Sequence, residues 1–235
     1  MAFLSKFKIA SGLICIALPG LAEAASIIIP GTADLWLAGQ SNGATLTGNF
    51  GTDKNPDNAP ALVNVVGGHI FTFTATGTTS VDANCFAGPD GGCYADESSF
   101  GTGPVNGIGS YQGPSNAFFG VFLDNTVPSG TNGPASLNFT DASVISAATF
   151  APLLNQIFFI GDGLTGAGTG SVQLFTAPTG ATRLFLASAD SVGSSAGNLG
   201  SLNVTVTDVN SPEPASVILA GGALVLLCTR RKRQT

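Results

Sequence analysis

Two segments, "HIFTFTAT" (69–76) and "LNVTVTDV" (202–209), decide the fold. In the first, Phe71, Phe73 and Ala75 alternate with Thr72, Thr74 and Thr76. In the second, Leu202, Val204 and Val206 alternate with Asn203, Thr205 and Thr207. Successive side chains of a strand point to opposite faces, so each segment predicts a half-buried strand with its apolar row inward and its threonine row outward.

Outward from these segments the apolar residues keep coming in short runs, predicting further strands at 62–66, 117–123, 156–160, 171–176 and 182–188. "AFFGVFL" (117–123) and "QIFFI" (156–160) are apolar without alternation, which suits strands covered on both faces. Turn-forming stretches such as "GPDGG", "NTVPSGTNGP" and "GDGLTGAGTG" separate the runs. The fold class expected is all-β, an antiparallel β-sandwich, with one short helix at 141–150 or 151–155, where Pro152 interrupts. No repeat of fixed period is present, which disfavours a solenoid or propeller.

The two ends differ from this body. Residues 1–24 carry Lys6 and Lys8, an apolar stretch from Ile9 to Leu21 and the step Ala22-Glu23-Ala24, the pattern of a secretory signal peptide cut before Ala25. After the β-domain expected at 25–208, residues 209–235 form a tail: an extended "VNSPEP" linker, a hydrophobic helix from Ala215 to Cys228, and a basic terminus. As a helix that apolar run covers about 21 Å, short against a hydrocarbon core of about 30 Å.

Charge narrows the function classes. The chain has 8 basic and 14 acidic residues; without the two ends, only Lys54 and Arg183 oppose twelve carboxylates. A phosphate backbone is bound through several Lys or Arg contacts, so nucleic acid is excluded as a partner. Of the four cysteines, Cys85 and Cys93 fall in the body, flanking a Gly-Pro-Asp-Gly-Gly turn. In an oxidising compartment such a pair reads as a local disulfide; a metal or redox pair is the alternative, without C-x-x-C spacing and with His69 as the only histidine.

Some motif matches lack the context their chemistry needs. "GSSAG" (193–197) fits G-x-S-x-G, yet a strand pattern follows Ser195 and His69 lies upstream of it. "GDGLTG" (161–166) fits G-x-G-x-x-G without a following helix to hold a pyrophosphate. The loop "ASADSVGSSAGNLGS" (187–201) is more informative: Asp190, Ser194 and Asn198 offer hard oxygen donors of the kind calcium prefers. A polar hairpin loop without an ion is the alternative.

Two resemblances rest on these residues. From residue 27 to 209 the body resembles the PA-IL type of bacterial galactophilic lectin, a galactose-binding-like, jelly-roll sandwich in which calcium bridges protein and sugar. Asp190, Ser194, Asn198, Gly200 and Ser201 fall at matching places, while Gly197 stands where that family has Asn and Leu202 where it has Phe. The resemblance implies a calcium cofactor and a further ligand from an earlier loop, Asp82 or Asp90. The tail resembles the PEP-CTERM sorting signal of exopolysaccharide-producing Gram-negative bacteria, through Pro212-Glu213-Pro214 and Arg230, Arg231, Lys232 and Arg233. That implies a partner protease of the exosortase type, transient tethering in the inner membrane through the C-terminal helix, and release to the cell surface or extracellular matrix. The function expected is non-enzymatic association with extracellular polysaccharide in biofilm. A structural matrix protein without ligand binding and a secreted polysaccharide hydrolase using loop carboxylates are the other classes.

Overall fold

The two alternating segments lie side by side, with residues 71–80 antiparallel to 199–208. The computed structural model describes residues 23–43, 46–48, 51–52, 58–92 and 104–210. The signal-peptide stretch 1–22, Lys54, Cys93 and the tail from Ser211, with Pro212, Glu213, Pro214 and Arg230 to Arg233, lie outside the described residues.

The main strands are β1 (Glu23–Pro30), β2 (Ala61–Asn64), β3 (Ile70–Ser80), β4 (Phe86–Ala87), β5 (Phe118–Leu123), β6 (Thr149–Phe150), β7 (Ile157–Phe159), β8 (Leu174–Thr176), β9 (Arg183–Ser188) and β10 (Leu199–Asp208). They form two sheets. One has the order β1-β10-β3-β8-β6, with β4 added beside β3; the other has the order β7-β5-β9-β2. Pairing is antiparallel except between β6 and β8, which run parallel over two residues. A second short parallel pair, Tyr111–Gln112 with Leu137–Asn138, lies outside the main sheets.

Aromatic side chains fill the space between the sheets. Phe71 meets Phe122 and Phe73 meets Phe118, each at 6.2 Å between ring centroids, and Phe158 meets Phe175 at 5.8 Å. The threonines and asparagine that alternate with these apolar rows stand on the other face, with Thr74, Thr76 and Asn203 exposed. The chain is therefore all-β, with two sheets packed on one core, as the alternation predicts.

β5 is buried at all six positions. Its even-numbered residues face the first sheet, and its odd-numbered ones face a second aromatic layer. There Phe119 lies 4.5 Å from Tyr111, 5.7 Å from Phe139 and 5.5 Å from Phe159, and Trp36 stacks on Tyr111 at 5.9 Å. This cover comes largely from non-strand chain, including the 3-10 turn Leu35–Leu37, all three residues of which are buried. The expected helix is a single turn, α1 (Ala142–Ile145), started by Asp141, whose carboxylate accepts the Ser143 N–H at 2.8 Å. Among the described residues no helix is long and apolar enough to cross a membrane.

The strand register places the two ends of the domain together. Glu23 is paired with Asp208, and Pro30 with Ser201. Residues 23 and 210 therefore share one pole of the sandwich. The Asp190 loop, which enters β10 at Leu199, lies at the other.

Candidate functional site

β9 delivers the chain through Ala189 into the loop Asp190–Asn198, which returns as β10. The loop folds on itself twice: the Ser194 N–H donates to Ser191 O at 3.1 Å, and the Asn198 N–H to Ser195 O at 3.0 Å, closing a 3-10 turn over Ser195–Gly197. Gly193 has φ +66, and a Cβ there would stand 2.5 Å from the Leu46 carbonyl oxygen, so glycine is required both by conformation and by contact.

Asp190 is half-buried, its Oδ1 accepting the adjacent Ser191 N–H at 2.6 Å and its carbonyl accepting the Tyr111 hydroxyl at 3.4 Å. Ser194 is also half-buried and makes no capping bond to the turn that follows. Asn198 is only 4% exposed, and its Oδ1 is buried with no hydrogen-bond partner among the described residues. A buried carboxamide oxygen left unpaired costs about 1–3 kcal/mol, so this atom is a donor available to a cation.

The structure adds a residue to the sequence-derived set. Asp34, 1% exposed, accepts the Trp36 N–H at 2.7 Å and reaches across to the Gly193 N–H at 3.2 Å. Burial, followed by the charges of Asp190 and Asp34, pushes the Tyr111 phenol well above its ordinary range. Both carboxylates act on this phenol through their charge, and the hydroxyl itself donates to the Asp190 carbonyl. A "D-x-W" step is a plain turn signal in sequence; its burial arises only when η-turn, loop and Tyr111 pack together.

The earlier loop is linked to this end through Asn116, which sequence reasoning missed. Asn116 adopts φ 51–63-type left-handed backbone, its own value being 60, and its N–H donates to Ala189 O at 3.0 Å. Its side-chain amide donates to Cys85 O at 3.3 Å, while Thr79 and Ser188 hydroxyls donate to its carbonyl at 3.3 and 3.2 Å. Asn116 Oδ1 is, like that of Asn198, buried without a partner. Cys85 is 6% exposed and disulfide-bonded; the pairing with Cys93 lies outside the described residues.

The two further ligands that the resemblance implies, Asp82 and Asp90, bond to neighbouring backbone. Asp82 accepts the Asn84 N–H at 2.7 Å. Asp90 accepts the Asp162 N–H at 3.1 Å, and its carboxyl is raised by burial, lowered by that bond and raised again by the Asp162 charge. Asp162 spends both oxygens on backbone, accepting Leu164 N–H at 2.8 Å and Gly168 N–H at 2.6 Å. It braces the hairpin Leu164–Gly166 with Thr169–Val172, which takes the place of a nucleotide-binding helix after "GDGLTG". Ser195 is 2% exposed. His69 sits beyond the other end of β10, paired with Asp208 at 2.7 Å, about 30 Å of strand away, so the two form no catalytic pair.

Among the described residues no group of three His, Cys, Asp or Glu side chains could hold a metal ion. The donors that the loop offers are carboxylate, carboxamide, hydroxyl and carbonyl oxygens, the hard type that suits calcium. No family model matches this chain, and no curated protein is significantly similar to it.

Proposed function

We propose that this protein is an exported polysaccharide-associating protein, a galactose-binding-like sandwich of the PA-IL type that uses calcium at the Asp190 loop. One observation carries the reading: Asn198 Oδ1 is buried and has no hydrogen-bond partner among the described residues, in the loop that also holds Asp190 and Ser194. Asp190, Ser194 and Asn198 would hold the ion, while Asp34, whose two oxygens accept the Trp36 and Gly193 N–H groups, would keep the loop in place. Bound calcium would provide a site for vicinal sugar hydroxyls; the chain's own contribution is to keep the donors ordered on a loop fixed by Gly193 and Tyr111. The Pro212-Glu213-Pro214 tail is the sorting signal of this reading, handled by an exosortase-type protease, and Cys85 with Cys93 the staple of the earlier loop.

The hydrolase alternative gains nothing from the carboxylates at Asp90 and Asp162, because both Asp162 oxygens are committed to backbone. Calorimetric titration of residues 25–210 with calcium tests the reading. Saturable binding that weakens at least tenfold in Asp190→Ala, with glycan binding lost in chelator, supports it; heat-silent titration together with no retention on any glycan removes it.

A further inference from the structure

The two poles of the sandwich differ in a way that assigns one of them a partner. At the pole where β10 ends, the chain is fixed up to its last described residue. His69 Nδ1 lies 2.7 Å from Asp208 Oδ2, the Asn210 N–H donates to Asp208 Oδ1 at 2.9 Å, and Asn210 Oδ1 accepts the Ile70 N–H at 2.6 Å. The Val209 N–H adds a bond to Ile70 O at 3.0 Å. Backbone bonds from Gly68 to Ala177, Val65 to Thr182 and Thr182 to Leu123 join the neighbouring turns into the same surface, as does Asn155 to Phe122.

This surface exposes Val66 (54%), Val127 (61%), Leu153 (58%) and Val209 (42%). Among the described residues its charged groups are Asp124 and Asp208 against Arg183, with Glu23 added in a chain not cut before Ala25. The opposite pole carries Asp34, Asp82 and Asp190, with no Lys or Arg among the described residues there.

We propose that the Val66–Val127–Leu153–Val209 pole rests against a phospholipid bilayer and holds the Asp190 loop outward, about 30 Å away along the ten residues of β10. The inference rests on reading Ala215–Cys228 as the membrane segment. Only Ser211 to Pro214 separate that run from the fixed Asn210, and four residues reach about 14 Å at most. The headgroup layer of a bilayer is about 5–8 Å thick on each side, so the body has little room to stand off or turn over. Exposed Val and Leu at the contact gain about 25 cal/mol per Å² of apolar area taken from water.

The test uses residues 25–235 in phosphatidylcholine vesicles containing a headgroup-attached spin label, with single tryptophans introduced as Val66→Trp or Val127→Trp at one pole and Leu199→Trp at the other. Trp36, 1% exposed, is the constant background. Co-flotation with vesicles, with quenching at 66 or 127 at least threefold that at 199, is the expected result. Co-flotation with equal quenching at both poles, whether from a freely tumbling body or a second copy covering the pole, overturns the orientation and leaves the tail reading standing. A chain that does not float with vesicles overturns both.

Discussion

Tyr111 carries more of the candidate site than its polarity suggests. It stacks on Trp36, leans on Phe119 and touches the Asp190 carbonyl, and its phenol is kept neutral by burial and by two nearby carboxylates. An unfolded tyrosine ionises near pH 10. Because the folded phenol ionises above that, the protein keeps this contribution below about pH 10 and loses stability as pH rises toward the folded value. Tyr111→Phe preserves both ring contacts and removes one long hydrogen bond, so stability at pH 7 falls by about 1 kcal/mol or less. Urea denaturation between pH 8 and 11.5 reads the difference: the variant's alkaline decline is the shallower of the two, and parallel curves would remove the coupling between Tyr111 and the Asp34–Asp190 end. None of this is legible in "GSYQGP", where a tyrosine between glycines reads as loop surface.

At the scale of elements, β5 shows both how far the sequence reaches and where it stops. "AFFGVFL" announces a strand buried on two faces, and the structure buries it on two faces. Alternation in β3 and β10 likewise fixes which side of each strand meets the core, because a period of two is a local property of the chain. The identity of the second cover is not local. Trp36, Tyr111 and Phe139 come from segments without periodicity, and only tertiary packing brings them over Phe119. Gly120 is the point where this strand meets its neighbours most closely: a Cβ would stand 2.9 Å from Phe158 Cζ, 3.0 Å from Ile160 Cδ1 and 3.3 Å from Leu184 Cδ1. All three atoms are tips of packed side chains, so the strain is shared and not absorbed by one rotamer. Gly120→Ala is therefore expected to cost about 1–3 kcal/mol through overpacking, despite the higher strand propensity of alanine. Thermal denaturation followed by near-ultraviolet dichroism checks it, since a neutral or stabilising result would mean that the Phe122–Phe158 stack has slack to give.

For the whole molecule, the decisive feature is that β1 closes the first sheet against β10 along eight paired residues while its start lies beside the end of the domain. Cutting before Ala25 removes two of those pairs and keeps the apolar ones, Ile27 with Val204 and Ile29 with Leu202. Residues 25–210 are thus expected to fold with the same cooperative transition as the chain that begins at residue 23. Removing β1 entirely is a different matter. Ile29 is fully buried, and losing its burial costs about 2–3 kcal/mol. The bared edge of β10 would also present unpaired backbone groups along eight residues, a template for pairing with another chain. A protein starting at Gly31 should therefore show a urea midpoint well below that of 25–210 and a sedimentation profile that shifts to oligomers with concentration. If 31–210 stays monomeric with an unchanged midpoint, β1 is an appendage and not part of the sheet that positions the Asp190 loop. A cut before Ala25, as a signal peptide would require, falls inside the strand yet leaves Ile27 and the fully buried Ile29 in place.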